Sequence, residues 1–258
     1  MNTTDVLFEL ASEHVAVITI NRPEARNAVN AAVARGIEAA IDRVEDDPAL
    51  WVAVLTGVPP VFSAGADLKE INAGRRTELR TERGGFGGLV KRGRTKPLIA
   101  AVDGPALGGG TELCLAADLI VASETATFSI PEVKRSLVAA AGGLFRLPER
   151  LPLNVAMEMA LTGDPITAVR LHQLGLVNRL AAPGDALREA LLLATAIENN
   201  APVAVRASRR AVLATACADD ADAWRLSAES MDEAMASTDV REGLTAFLEK
   251  RPPRWTGS

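Results

Sequence analysis

Short apolar strands alternating with helices, and then giving out altogether, constrain this chain more than any other feature. Val15-Ala16-Val17-Ile18-Thr19-Ile20 and Trp51-Val52-Ala53-Val54-Leu55-Thr56 read as strands, and residues 30–45 between them read as a helix, which makes a βαβ unit. Lys96-Pro97-Leu98-Ile99-Ala100-Ala101-Val102 predicts the next strand. A glycine-rich turn then leads into a short helix through Ala117, Leu119-Ile120-Val121-Ala122 is again a strand, and the alternation runs on through Val177-Asn178-Arg179-Leu180. Beyond residue 184 the strand signal ends. Helical stretches follow at 185–198, 202–216, 219–237 and 239–249, with Pro183, Pro202, Pro252 and Pro253 as punctuation. The expectation is an α/β part over 1–184 and an all-helical part over 185–258. Periodicity leaves two architectures open for the first part, a doubly wound sheet and a spiral of stacked ββα layers.

A chain of 258 residues with 48% hydrophobic and 24% charged residues buries enough core to hold a ligand site. No stretch approaches the roughly 20 unbroken apolar residues of a membrane span, and Met1-Asn2-Thr3-Thr4-Asp5 lacks the charged and apolar regions of a secretory signal. Cys114 and Cys217 sit in apolar or alanine-rich settings, which fits buried free thiols of a reducing compartment. The expected location is therefore cytoplasmic, where the sequon-like Asn2-Thr3-Thr4 has no meaning. A net charge of −5 argues against nucleic acid as a partner. One stretch departs from that average: Arg75, Arg76, Arg80, Arg83, Lys91, Arg92, Arg94 and Lys96 face only Glu78 and Glu82. It reads either as a solvated face or as cations that meet the phosphates of a nucleotide-bearing substrate. Inside it, Gly84-Gly85-Phe86-Gly87-Gly88 predicts a mobile loop.

The chemistry concentrates on two glutamates twenty positions apart (132 − 112). Glu112 follows Gly104-Pro105-Ala106-Leu107-Gly108-Gly109-Gly110-Thr111, and Glu132 closes Phe128-Ser129-Ile130-Pro131-Glu132. Two carboxyls sharing a pocket can hold a water between them, one as base and one as acid, because each perturbs the other's proton affinity. The glycine triplet lets the backbone approach a ligand and presents free amides at a helix start, where an anionic oxygen is stabilised. Standing alone, such a triplet makes a tight turn, and each glutamate alone is an ordinary first-turn acid. Other chemistries are excluded. There is no G-x-G-x-x-G and no Walker lysine, Ser63 lacks the glycine of a nucleophile elbow, and His14 and His172 have no catalytic-looking or metal-binding neighbours.

With Asn21-Arg22-Pro23-Glu24-Ala25-Arg26-Asn27-Ala28 and Phe62-Ser63-Ala64-Gly65-Ala66-Asp67-Leu68-Lys69-Glu70, these blocks closely resemble the crotonase (enoyl-CoA hydratase/isomerase) superfamily, from about Val15 to Arg251. The resemblance implies the spiral of ββα layers with a C-terminal all-helical trimerisation region. It implies Glu112 as the base that activates water, Glu132 as the proton donor to the α-carbon, and the amides of Ala66 and Gly109 as the grip on a thioester oxygen. It places Arg26, Ala28, Ala64, Ala66, Asp67, Leu68 and Gly109 along the coenzyme A and substrate channel. Phe247 and Lys250 would reach the nucleotide of a neighbouring subunit, although Lys250 reads equally as a solvated helix-end cation. The implied activity is that of an enoyl-CoA hydratase: syn addition of water to an enoyl-CoA thioester, or the reverse, in fatty-acid or related acyl-CoA metabolism. It needs no cofactor beyond the coenzyme A of the substrate and no metal, in a homotrimer or homohexamer. Retention of both glutamates favours hydration over a Δ3,Δ2-enoyl-CoA isomerase that uses Glu132 alone. The stretch from Lys134 to Gly143 resembles the carnitinyl-CoA dehydratase-like branch, and a non-catalytic protein of this fold is the alternative from a different class. Ile130, where the family often has glutamine, and the stretch from Lys134 to Gly143 depart from the hydratase pattern beside the acyl pocket.

Overall fold

The computed structural model describes residues 5–215 and 220–258; the Asn2-Thr3-Thr4 triplet and Cys217 lie outside them. The chain enters through β1 (Val6–Leu10), antiparallel to β2 (Val15–Ile20), and α1 (Ala31–Asp46) returns it to β3 (Val52–Gly57), parallel to β2. A short helix, α2 (Leu68–Asn72), and a two-stranded hairpin, β4 (Arg80–Thr81) with β5 (Gly85–Phe86), precede β6 (Leu98–Val102). From there the chain alternates between two sheets. β7 (Ala106–Leu107) lies in a second sheet, α3 (Gly109–Ala116) leads back to β8 (Leu119–Ser123) in the first, and β9 (Thr127–Ser129) joins β7 in the second. Helices α4 (Gly143–Arg150) and α5 (Leu153–Thr162), then β10 (Ile166–Thr167), α6 (Ala168–Gln173) and β11 (Arg179–Ala181) complete the last layer. The first sheet runs β1-β2-β3-β6-β8-β11 and the second β10-β9-β7. A doubly wound fold would place all the parallel strands in one sheet. Here consecutive short strands fall in different sheets, which is the spiral.

Burial explains the strand composition. Every residue of β3 and β6 is buried, so their Val, Leu, Ile and Ala runs show no polar alternation. Side chains still alternate faces. Leu55, Ala100 and Ile120 pack with Ile37 and Ile41 of α1 and with Leu113 of α3, whereas Val52, Val54, Ile99 and Val121 pack with Ala190 and Ala194 of α7 (Ala186–Glu198). α1 begins where the Asn30 side chain accepts from the Val33 amide, and its buried face is Val33, Ala34, Ile37, Ala40, Ile41 and Val44. The remaining helices are α8 (Pro202–Thr215), α9 (Asp220–Ala236) and α10 (Asp239–Glu249). α8 is tied to the spiral by Asp118, which accepts from Arg94 at 3.0 Å and from Arg209 at 2.8 Å. Burial works to raise the Asp118 pKa, but the two guanidiniums outweigh it and hold the carboxyl below its ordinary value.

Two sequence expectations need correction. Residues 84–88 are not a mobile loop: Gly85–Phe86 is a strand, and the Gly84 amide donates to Glu38 Oε1 of α1. A β-carbon at Gly88 would stand 2.0 Å from the Ala34 carbonyl oxygen of the same helix. The glycines mark backbone pressed against backbone, a packing requirement that resembles low complexity in a linear sequence. Nor is the basic stretch uniformly solvated, since Arg83 and Arg92 both pair with Asp42 and the Lys96 ammonium donates to the Val44 and Asp47 carbonyls.

Candidate active site

Ser63 is the joint on which the site is assembled. Its hydroxyl donates to the Asn27 carbonyl and accepts from the Gly65 amide, and its own carbonyl accepts from Leu107. It is therefore a buried structural group. Asn27 lies in the left-handed region (φ 54°), which its side chain stabilises by accepting from Arg22 N–H and donating to the Val58 and Val61 carbonyls. The segment holding Arg26 and Ala28 is thereby laid against Ala64 to Asp67 through Ala64 N–H to Arg26 O, Val29 N–H to Gly65 O and Asp67 N–H to Val29 O. Asp67 is already occupied: it caps α2 through the Lys69 amide and pairs with Arg22.

The glycine triplet serves three close approaches. A β-carbon at Gly108 would stand 2.8 Å from Glu132 Oε1, at Gly109 2.4 Å from the Phe86 ring, and at Gly110 2.4 Å from the Ser63 carbonyl oxygen. Gly108 also has φ 55°, a region closed to most side chains. Gly109 is the first residue of α3, where helical amides have no intrahelical partner. Among the described residues neither its amide nor that of Ala66 donates to a protein acceptor. Both residues line one cavity of about 410 Å³, together with Glu112 and Glu132.

Glu112 is 3% exposed, and its Oε1 accepts from the amides of Ala141 (2.7 Å) and Gly143 (3.0 Å). Burial pushes its pKa up to about 7. The Gly143 amide opposes the rise, the nearby Glu132 charge adds to it, and the Ala141 amide and Arg146 oppose it. Glu132 sits in the short 3-10 helix Pro131–Arg135, and its Oε2 is buried without a hydrogen-bond partner among the described residues. Burial raises its pKa as well, against its own backbone amide and Arg135. Two carboxyls with raised proton affinity thus face one cavity, beside two amides free to donate. Such an arrangement can pass protons to and from a substrate while holding a developing oxyanion.

Of the residues anticipated from sequence, Glu112, Glu132, Ala66 and Gly109 share the cavity. Arg26, Ala28, Ala64, Asp67 and Leu68 form the neighbouring ledge and do not line it. Lys250 is exposed at the end of α10; the backbone of Phe247 lies in that helix and its side chain is outside the described residues. His14 stacks on Trp51 and His172 Nδ1 meets the Val177 carbonyl, both within the scaffold. Sequence reasoning missed Ala141, Gly143, Arg146 and Phe86. It sets the stretch from Lys134 to Gly143 beside the acyl pocket or the second glutamate. Leu137, Val138, Ala140 and Ala141 do line the cavity, but two amides of this stretch hold the first glutamate instead. The adjacent Gly142-Gly143 ahead of an amphipathic helix is the signal that points to them.

The family model described as enoyl-CoA hydratase/isomerase matches residues 11–258. An enoyl-CoA hydratase of Mycobacterium tuberculosis is 39% identical over 248 residues, covering 94% of this chain and 93% of its own. A carnitinyl-CoA dehydratase of Proteus mirabilis is 37% identical over 249 residues, covering 94% of this chain and 95% of its own. A crystal structure of an enoyl-CoA hydratase from M. tuberculosis H37Rv superposes with a TM-score of 0.95 at 50% identity, covering 99% of this chain and all of that one. Two carboxyls on one cavity, a spiral scaffold and similarity over nearly the full length converge: the chain belongs to the enoyl-CoA hydratase/isomerase family.

Proposed function

We propose that the protein is an enoyl-CoA hydratase that adds water across the α,β double bond of an enoyl-CoA thioester, or removes it in reverse. The observation that carries this reading is the presence of both carboxyls, each with a raised pKa, in one cavity with the Ala66 and Gly109 amides. Water sits between Glu112 and Glu132. Ionised Glu112 takes one proton from it, the hydroxyl oxygen bonds to Cβ, and protonated Glu132 delivers its proton to Cα. The electrons of the double bond pass through an enolate whose oxygen is held by the two amides. Coenzyme A enters as part of the substrate, with no separate cofactor, and lies along the ledge of Arg26, Ala28, Ala64, Ala66, Asp67 and Leu68. Large apolar side chains left exposed on the C-terminal helices, Trp224 at 77% and Leu248 at 79% among them, support a homotrimer or dimer of trimers. In that assembly Phe247 and Lys250 reach a neighbour's nucleotide.

Loss of enoyl absorbance with crotonyl-CoA tests the activity. Glu112→Gln and Glu132→Gln should each lower turnover by roughly 10² or more, the usual worth of a positioned acid or base. Full activity in either variant removes the role given to that residue. An isomerase using Glu132 alone would convert a 3-enoyl-CoA without hydrating crotonyl-CoA and would tolerate Glu112→Gln.

A further inference from the structure

The eight cations between Arg75 and Lys96 separate into two sets. Arg75 pairs with Glu70, Arg83 and Arg92 with Asp42, Arg94 with Asp118, and the Lys96 ammonium is held by two backbone carbonyls. Arg76, Arg80 and Lys91 have no ion-pair partner among the described residues, and all three line the cavity that contains Glu112 and Glu132. Their placement is built into the hairpin. Arg80 is the first residue of β4, paired with Phe86, whose ring edge lies against Gly109. The Lys91 amide donates to the Gly84 carbonyl, and its stem lies where a side chain at Gly85 would be, a β-carbon there falling 2.8 Å from Lys91 Cγ. Among the described residues Glu82 is the one acid that lines the cavity beside these cations, apart from Glu112 and Glu132, so the rim carries an excess of positive charge. The same lining also carries apolar side chains, including Leu79, Val90, Leu137 and Val138.

We propose that Arg76, Arg80 and Lys91 form an anion-binding rim that selects enoyl-CoA thioesters whose acyl chain ends in a carboxylate. The inference rests on the hydratase reading and names its substrate class. An alkyl segment lies along the apolar side chains while the terminal carboxylate meets the cations, with Arg suited to bidentate contact and Lys to a point charge. A trimethylammonium terminus is repelled by the same rim. Of the ledge assigned to coenzyme A only Ala66, at the thioester grip, belongs to this lining, and Arg26, Ala28, Ala64, Asp67 and Leu68 lie outside it, which sets the rim on the acyl side.

The test is kcat/KM for hydration of crotonyl-CoA, a graded series of ω-carboxyl 2-enoyl-CoA thioesters, their methyl-ended counterparts, and a trimethylammonium-ended 2-enoyl-CoA. The best carboxylated substrate should exceed its methyl-ended counterpart by about tenfold or more, a ratio typical of one charge-assisted contact. Arg80→Ala with Lys91→Ala should collapse that ratio toward unity, and Arg75→Ala, outside the cavity, should leave it in place. Arg76→Gln alone should lower the same ratio and serves if the double variant does not fold. Equal losses with carboxylated and methyl-ended substrates would assign the cations to coenzyme A phosphates and overturn the inference, as would preference for the trimethylammonium substrate. No hydration of any thioester by the unmodified protein overturns the activity itself, an outcome distinct from hydration without charge preference.

Discussion

At the scale of single residues, Glu112 decides how the protein responds to pH. A base must be ionised to act, so with its pKa near 7 kcat/KM should fall as pH drops below about 7, tenfold per unit at the limit. The same shift governs stability with the opposite sense. A carboxyl whose folded pKa is raised contributes stability fully below its ordinary value of 4.5, and that contribution is lost as pH rises through about 7. Glu112→Gln carries no such charge, so it should gain on the native protein between pH 5 and pH 8 by on the order of 2 kcal/mol, read from urea unfolding at the two pH values. A stability difference independent of pH would mean that Glu112 is not held in the desolvated setting described. The glutamate and its glycine triplet were legible from sequence because their meaning is local. Ala141 and Gly143, which fix Glu112 through their amides, were missed, because a backbone donor has no side-chain signature and the adjacent Gly142-Gly143 marks only a turn before a helix.

Among the elements, the contact of α8 with the spiral depends on Asp118, reached from β6's side by Arg94 and from α8 by Arg209. Asp118 Oδ2 also accepts from the Leu98 amide at the start of β6. Removing the charge leaves two largely buried guanidiniums without it, which is costly because they remain desolvated. Asp118→Asn should therefore lower unfolding stability by about 3 kcal/mol, measured by the denaturant midpoint, with activity at low temperature retained. An unchanged midpoint would show that α8 is held by packing alone. The strands and the four C-terminal helices were readable at this scale, from apolar runs and proline punctuation. The β4-β5 hairpin was not, since two-residue strands carry no periodicity and its glycines resemble a flexible segment.

For the molecule as a whole, the exposed apolar residues of the last three helices are expected to be covered in an oligomer. Trp224→Asp with Leu248→Asp should shift the protein from the proposed trimer or hexamer to monomer by analytical ultracentrifugation and raise KM for crotonyl-CoA, as the contact proposed for a neighbour's Lys250 is lost. A monomer in the unmodified protein would refute the assembly. The sequence by itself determined the strand–helix order and the two acids flanked by glycine and proline, because each depends on spacing along the chain. Only tertiary structure decided that successive strands fall in two sheets, that Glu112 and Glu132 open on one cavity, and that Arg76, Arg80 and Lys91 stand there unpaired among the described residues. Those facts arise from which distant backbones meet, and the free energy that selects the meeting is spread over the whole core.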